Sequence, residues 1–104
     1  MELKALLLLA ERAAIEGGKE ILKVYNSGDF EIEQKEDQSP LTLADRKAHL
    51  AIIKILKNSE IPVLSEEGKE IPYKERKNWQ KLWIVDPLDG TKEFIKRNGE
   101  FTVN

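Results

Sequence analysis

The sequence contains no cysteine, and this absence excludes several kinds of site at once. Without a thiol the chain has no disulfide framework, no thiolate metal site and no cysteine nucleophile. It has a single histidine, His49, so we predict no metal-ligand or general-base role for that residue. A chain without cysteine is compatible with a reducing cytosol.

Long apolar runs are also missing. The longest run that resembles a targeting segment is Leu6–Ala10, and Glu11 and Arg12 end it immediately. A membrane-spanning helix needs roughly 20 apolar residues, and a secretory signal needs a longer apolar stretch followed by a cleavage site. We therefore predict no signal peptide and no transmembrane segment.

The chain has no excess of positive charge. Its 17 basic and 19 acidic residues give a formal net charge of -2, and the sequence pI is about 5.5. Proteins that bind nucleic acid backbones carry a basic surface, so we predict no nucleic-acid partner. With 104 residues, 40% hydrophobic and 35% charged, the composition is that of one small globular domain.

Two segments have the apolar spacing of amphipathic helices. Steps of three and four predict a first helix over residues 3–25, which either breaks at Gly17-Gly18 or packs closely against a neighbour there. Thr42 predicts the N-cap of a second helix, with Asp45 in its first turn. Residues 92–96 could begin a further helix.

Short strands are predicted between and after these helices. Alternation at Phe30 and Ile32 predicts one, and the apolar runs 61–64 and 82–85 predict two more. Residues 69–80 are predicted to be irregular, and residues 101–103 to begin a strand. The sequence therefore predicts an α/β fold.

An acidic turn follows the predicted strand 82–85. Pro87 holds Asp86 extended, and Asp89 can turn its carboxylate toward the same point. Gly90 and Thr91 would then begin a helix with unpaired N–H groups. This arrangement gathers two oxygen ligands for a cation beside an anion site, and a divalent ion would relieve the repulsion between the carboxylates. The same residues also fit an ordinary turn.

Two further acidic positions allow a functional or a structural interpretation. Glu66 follows the predicted strand 61–64, so its carboxylate meets that of Asp86 if the two strands are neighbours; otherwise it lies in a solvated loop. Asp45 fits helix capping, or it accepts a hydrogen bond from a hydroxyl that orients water. Trp79 and Trp83 are interpreted as packing residues.

Together, three segments resemble the inositol monophosphatase superfamily of metal-dependent, lithium-sensitive phosphatases, and most of all its CysQ-type 3′(2′),5′-bisphosphate nucleotidases. The first is K-x-D-x-S-P-L-T-x-A-D, residues 35–45. The second is V-L-S-E-E, residues 63–67, and the third is residues 83–94, containing D-P-L-D-G-T. The run through residue 104 also resembles the CysQ-type subgroup. All three segments occur in the family's order.

This resemblance implies a fold and a metal site. The fold is a layered αβαβα sandwich, of which residues 1–104 would be the N-terminal part, with two long helices packed on the first strands of a mixed sheet. The cofactor would be Mg²⁺, with two or three ions in the complete enzyme. The implied ligands in this chain are Glu66, Asp86, the backbone carbonyl of Leu88 and Asp89.

The resemblance also implies how substrate and water are held. Gly90 and Thr91 would bind phosphate through backbone N–H groups, and the metal ligands Glu66, Leu88 and Asp89 would lie beside it. Thr91 and Asp45 would form the pair that orients and deprotonates the attacking water. The implied partner is a small phosphate ester.

The implied reaction removes the 3′-phosphate of adenosine 3′,5′-bisphosphate to give AMP, in sulfur assimilation and nucleotide recycling. Alternatives within the family are an inositol monophosphatase and a fructose-1,6-bisphosphatase. An alternative of another class is an inactive fragment that acts only through association, and a homo-oligomer is left open. The implied location is the cytoplasm, with the periphery of the inner membrane as a further option.

The chain differs from the family in one respect. It lacks the later W-D-x-x-A segment, whose aspartate would be a further metal ligand, and the region that recognises the sugar or nucleoside. We therefore expect the 104 residues to be the first part of a longer enzyme. Alone, they are expected to bind metal weakly and to have little or no activity.

Overall fold

Helix α1 covers Leu3–Ser27 in the structure, a computed structural model that describes residues 1–28, 32–34, 40–68 and 70–104. Its buried positions fall on one face, as the three-and-four spacing predicted. The helix ends at Gly28, whose φ of 75° is left-handed and whose N–H donates to the carbonyl of Val24. A left-handed glycine is a common helix terminator.

Helix α2 covers Leu43–Leu56 and packs along α1. A short 3₁₀ turn, Lys57–Ser59, follows it. Of the two possibilities at Gly17-Gly18, the close approach is the correct one, because α1 continues unbroken through both glycines. A Cβ atom on Gly17 would lie 2.8 Å from Cδ1 of Ile52, so the two helices approach as closely as a glycine allows.

Two short strands precede α2. Strand β1, Glu33–Gln34, pairs antiparallel with β2, Pro40–Leu41, and Glu33 is opposite Leu41. The predicted strand at 30–32 lies partly outside the described residues, since Phe30 is not among them. Ile32 is described, and it lies just before β1 with 55% of its surface exposed.

A parallel pair of strands follows α2. Strand β3 is Val63–Ser65, which overlaps the predicted run 61–64 and extends one residue beyond it. Strand β4 is Trp83–Val85, within the predicted run 82–85. Their register pairs Val63 with Trp83 and Ser65 with Val85. The connection contains a one-turn helix α3, Tyr73–Arg76, in the stretch predicted to be irregular, where Pro72 provides a preset φ at the start.

The last described helix, α4, covers Thr91–Lys96. The strand predicted at 101–103 is wrong as a strand, because only an isolated antiparallel bridge forms there, between Thr102 and Asp89. The segment 102–104 instead pairs with the turn between β4 and α4, so its backbone hydrogen bonds go to that turn rather than to a sheet.

Both helices contribute to two buried apolar clusters. One joins α1 and α2 to the turn after β4 and to α4: Ile21, Val24, Ala44, Ala48, Leu88 and Phe94. The other joins the helices to β4: Ala13, Ile52, Ile55, Leu56 and Val85. The predicted α/β class, with long helices packed on a small sheet, is confirmed. The described strands form one antiparallel and one parallel pair.

Candidate active site

The parallel pair β3–β4 brings two acidic positions to one edge of the sheet. Ser65 and Val85 are paired, so Glu66 and Asp86 are the first residues beyond the two strands. The N–H of Glu66 donates to the carbonyl of Val85 at 3.0 Å, which continues the ladder by one step. The condition set by the sequence, that the two strands be neighbours, is therefore met. Sites in α/β folds collect at this carboxyl edge.

The turn from Asp86 to Asp89 is held in place by the buried residues in its middle. Pro87 and Leu88 are buried, and Leu88 joins the cluster that contains Phe94. Asp86 is half-buried, and Asp89 is exposed. The buried middle of the turn thus fixes the backbone while the aspartate side chains at its two ends remain accessible.

The segment 102–104 holds the same turn through backbone hydrogen bonds. Asp86 and Asn104 exchange two backbone hydrogen bonds, of 2.6 and 2.9 Å. Asp89 and Thr102 exchange another two, of 2.8 and 3.0 Å. Both ends of the acidic turn are therefore held by one extended segment, which limits how far the two aspartates can separate.

Asn104 is a site residue that sequence reasoning missed. Its side-chain Nδ2 donates to Oδ2 of Asp89 at 2.9 Å. The donor engages one oxygen of that carboxylate, which leaves the other oxygen available for a ligand. Nothing local in the sequence indicates this contact, because it depends on the return of the chain to the turn 15 residues earlier.

Gly90 is required by the backbone at the start of α4. Its φ is 93°, and an added Cβ would lie 2.8 Å from the carbonyl oxygen of Glu100. Gly90 is the N-cap of α4 and, having no side chain, makes no capping hydrogen bond. The prediction that Gly90 and Thr91 begin a helix is confirmed.

Asp45 caps α2, as one of its two sequence interpretations predicted, and it also accepts a hydrogen bond from a hydroxyl outside the cap. Its Oδ2 accepts hydrogen bonds from the N–H of Thr42 at 2.8 Å and from the Thr42 hydroxyl at 2.6 Å, completing a capping box. Its Oδ1 accepts from the Thr91 hydroxyl at 3.0 Å. The carboxylate is fully buried. One aspartate therefore caps α2 and holds the first residue of α4, 46 positions away.

The Thr91 hydroxyl has a second acceptor within reach. The carbonyl of Leu88 lies 3.2 Å from Thr91 Oγ1, compared with 3.0 Å for Asp45 Oδ1. A carboxylate is the stronger acceptor, so the hydroxyl proton is directed toward Asp45. Leu88 is the residue whose carbonyl was predicted to bind metal, and its side chain is 2% exposed.

His49 contacts the last residue of β3, directly before the acidic segment. Its Nδ1 lies 2.8 Å from Oγ of Ser65. Desolvation by burial lowers the pKa of His49 below its ordinary value, which favours the neutral imidazole.

Trp83 packs on the cluster around Val85, and its Nε1 donates to the Ser59 hydroxyl at 3.0 Å, in keeping with its predicted packing role.

The donor set has the chemistry that Mg²⁺ prefers. Glu66, Asp86 and Asp89 offer carboxylate oxygens, and Leu88 offers a carbonyl. In the described parts of the chain no three acidic or histidine side chains converge as a ready metal cage. Mg²⁺ usually binds through one or two carboxylates and keeps several waters. The two strand-end carboxylates fit that mode of binding.

The described helices include none that is both long and apolar enough to cross a membrane.

The sequence profile of the inositol monophosphatase family matches residues 2–104.

Relatives and solved structures of this family are similar to the chain over most of its length. A 3′(2′),5′-bisphosphate nucleotidase CysQ from Salmonella typhimurium is 52% identical over 90 residues, which cover 84% of this chain and 36% of that protein. The crystal structure of CysQ from Bacteroides thetaiotaomicron superposes with a TM-score of 0.83 and 57% identity, covering 98% of this chain and 37% of the other.

A second solved structure has the same fold at lower identity. The extragenic suppressor protein suhB from Bartonella henselae superposes with a TM-score of 0.82 and 29% identity, over 95% of this chain and 38% of that one. The chain thus spans little more than a third of the length of the proteins it matches.

Proposed function

The chain belongs to the inositol monophosphatase family, and we propose that it carries metal-binding and water-orienting residues of a Mg²⁺-dependent phosphate-monoester hydrolase. The observation that carries the proposal is the contact between the Thr91 hydroxyl and the buried Asp45 carboxylate. It lies at the start of α4, directly after the acidic turn that follows the parallel strands.

The proposed substrate is adenosine 3′,5′-bisphosphate, hydrolysed at its 3′-phosphate to AMP and phosphate. The support comes from relatives at about half identity that are named 3′(2′),5′-bisphosphate nucleotidases. We place the reaction in sulfur assimilation and nucleotide recycling, as the resemblance implies, and the protein in the cytoplasm.

Four residues are assigned as metal ligands in this proposal. Glu66 and Asp86 follow adjacent parallel strands, and Asp89 and the Leu88 carbonyl lie in the turn after β4. We expect two or three ions in the longer protein. When bound, Mg²⁺ would acidify a water molecule and neutralise charge on the phosphate and on the leaving oxygen.

Thr91 and Asp45 would orient the attacking water. Thr91 Oγ1 donates its one proton toward Asp45 Oδ1, so its lone pairs are free to accept a hydrogen bond from water. A water held in this way turns its own lone pair toward the phosphorus. The proton it loses passes to Thr91 Oγ1 as the threonine proton moves to Asp45 Oδ1. Phosphoryl transfer needs such positioning and charge stabilisation more than a protein nucleophile.

Gly90 and Thr91 would hold the phosphate. Gly90 cannot cap the first turn of α4 with a side chain, so the N–H groups there are suited to phosphate oxygens. The close approach of Gly90 to the Glu100 carbonyl leaves no space for a Cβ. Glu66, Leu88 and Asp89 are proposed to lie beside the bound phosphate, as the family resemblance implies.

The experiment is a substrate comparison with the full product of the gene that encodes this chain. Phosphate release is measured with Mg²⁺ on adenosine 3′,5′-bisphosphate, inositol 1-phosphate and fructose 1,6-bisphosphate, with and without lithium. We expect the highest kcat/KM on the bisphosphate nucleotide, and inhibition by lithium. A preference for inositol phosphate or fructose bisphosphate would replace the substrate assignment, and activity that persists in EDTA would contradict the metal assignment.

A further inference from the structure

The face of α2 that carries Asp45 also carries His49, one turn further along. Residues four apart lie on the same face of a helix. Asp45 contacts Thr91 at the start of α4, and His49 contacts Ser65 at the end of β3. One helix face therefore reaches both segments that carry the candidate metal ligands.

Ser65 is the first residue of the turn that carries Glu66. Its carbonyl accepts from the N–H of Gly68 at 3.1 Å, and its Oγ accepts from the N–H of Glu67 at 3.4 Å. A hydroxyl has one proton to donate. Because the Ser65 oxygen accepts from Glu67, its proton is available to the Nδ1 atom of His49, 2.8 Å away.

The imidazole ring of His49 also packs closely against the turn. A Cβ atom on Gly68 would lie 3.2 Å from Cε1 of His49 and 3.3 Å from the Cβ of Ser65. Any larger residue at 68 would press on the ring and on the serine together. His49 is half-buried, so the contact is shielded from solvent on part of its surface.

On the other side the turn is joined to β4. The N–H of Glu66 donates to the Val85 carbonyl at 3.0 Å, which places the Glu66 backbone beside Asp86. This bond positions the Glu66 backbone from β4, and the contact between His49 and Ser65 attaches the same turn to α2.

We propose that His49 is a positioning residue for Glu66: by holding the Ser65 hydroxyl, it fixes the turn from which the Glu66 carboxylate reaches the strand-end metal site. His49 itself binds no metal and transfers no proton. This inference rests on the proposed function, because it needs Glu66 to be a ligand.

The test measures Mg²⁺ affinity of the 104-residue chain by NMR titration, a method that reads weak binding. His49→Leu removes the contact, and we expect about a tenfold loss of affinity, the usual effect of losing a group that orients a ligand. Ser65→Ala removes the same contact from the other side and should lose a similar factor. His49→Asn keeps a polar group near the position of Nδ1 and should recover most of the affinity.

The His49→Leu substitution is also made together with Glu66→Gln, which separates a role of His49 through Glu66 from a general structural role. If His49 acts through Glu66, His49→Leu has no further effect on Mg²⁺ affinity once Glu66→Gln is present. A merely structural histidine would cost the same factor in both backgrounds, and that result would overturn the inference. Thermal unfolding of each variant checks that it is folded. If His49→Leu does not fold, Ser65→Ala replaces it in both backgrounds.

The two ways of failing are distinguishable. If Glu66→Gln weakens Mg²⁺ binding while His49→Leu and Ser65→Ala do not, the inference falls and the proposed metal site stands. If Glu66→Gln leaves the affinity unchanged, or the chain binds no Mg²⁺, the assignment of Glu66 falls and the inference falls with it.

Discussion

In the proposed function, the two oxygens of the Asp45 carboxylate divide a structural and a chemical task. Oδ2 accepts both hydrogen bonds from Thr42, and Oδ1 accepts the bond from Thr91. The sequence allowed capping and water orientation as alternative explanations for this aspartate. Because both would use the same side chain, substitutions that separate the two oxygens are needed to tell the roles apart.

Asp45→Asn is the substitution that separates them. An asparagine can keep its carbonyl oxygen on Thr42 and turn its amide toward Thr91, which reverses the direction of that hydrogen bond. We expect a loss of about 1–2 kcal/mol in the free energy of unfolding, because bonds to a charged acceptor become neutral ones. Phosphate release by the full gene product should fall far more steeply, since Thr91 Oγ1 then accepts a hydrogen bond from residue 45 where the proposed mechanism needs it to donate one.

The control is Thr91→Ser, which keeps the hydroxyl. Urea unfolding and phosphate release are measured on both variants. If Asp45→Asn loses stability but retains most of its phosphate release, Asp45 is a capping residue only.

The protonation of His49 makes a separate prediction about pH. Burial lowers the pKa of His49 in the folded chain, so the unfolded chain takes up the proton first as the pH falls below about 6.5. The contribution of His49 to the free energy of unfolding is therefore present at higher pH and is lost on acidification. His49→Asn should remove this part of the pH dependence.

Unfolding free energies of the wild type and His49→Asn, measured at several pH values between about 8 and 5, check the sign. The wild type should lose more stability than the variant over this range. Parallel curves, or a wild type that gains stability relative to the variant on acidification, would show that the histidine is not held neutral by burial.

Among the elements, the pairing of α1 with α2 depends on one of two adjacent glycines. A Cβ on Gly17 would lie 2.8 Å from Cδ1 and 2.9 Å from Cγ1 of Ile52, whereas a Cβ on Gly18 would have no neighbour within 4 Å. Ile52 is buried, so it has little space to move. The two glycines therefore have different reasons to be present.

Gly18→Ala and Gly17→Ala form a matched pair. Gly18→Ala should raise the free energy of unfolding by about 0.5–1 kcal/mol, the ordinary gain of alanine in a helix. Gly17→Ala gains the same propensity but overpacks the interface at a cost of about 1–3 kcal/mol. Urea denaturation should therefore rank Gly18→Ala above Gly17→Ala by at least 1 kcal/mol. Equal stabilities would mean that the helices are farther apart than described.

The start of α4 offers a second matched pair. Gly90 and Gly99 both have positive φ, 93° and 79°, but only Gly90 has a neighbouring backbone atom, the Glu100 carbonyl at 2.8 Å from an added Cβ. Alanine at either position costs about 1–2 kcal/mol for the left-handed backbone. Gly90→Ala should cost more, because the backbone at Glu100 and Phe101 must move away to make space for the Cβ.

Mg²⁺ affinity provides the second readout for this pair. Gly90→Ala should weaken Mg²⁺ binding by the 104-residue chain, and Gly99→Ala should leave it unchanged. If both variants bind Mg²⁺ as the wild type does, the geometry of the turn is not what determines the site.

The elements that could be predicted from the sequence are those whose signals lie within a few neighbouring residues. The capping spacing of Thr42 and Asp45 and the apolar runs of β3 and β4 are readable within a few residues. Helix α3 was missed because four residues carry too little periodicity. The strand expected at 101–103 was wrong because its partner is the turn at Asp89, and such a return of the chain has no local signal.

The candidate site was predictable to a similar extent. Residue spacing indicated the acidic turn and Glu66 as candidates beside a structural alternative, and the resemblance supplied their roles. The parallel pairing that places them together came from the structure. The contacts that hold the site join distant residues: Asp45 with Thr91, and His49 with Ser65. These long-range contacts depend on how α2 packs across the sheet, which residue spacing alone does not determine.

At the scale of the whole molecule, the described surface exposes large apolar side chains on α1 and β4. Leu3 is 83% exposed and Ile84 is 74% exposed. An apolar groove also lies between α1 and the start of β4, lined by residues that include Leu7 and Trp83. Exposed apolar surface of this kind marks contact with further protein.

The central claim is that carboxylates beyond β3 and β4 bind a divalent ion beside the Thr91 hydroxyl, and Mn²⁺ tests it most directly. Substoichiometric Mn²⁺ is added to the 104-residue chain as a paramagnetic substitute for Mg²⁺, and broadening of backbone amide signals is recorded. We expect the amides of Glu66, Asp86, Asp89 and Gly90 to broaden first, Mg²⁺ to compete, and Asp86→Asn to suppress the effect. Broadening spread over other surface carboxylates, or unchanged in Asp86→Asn, would contradict the account.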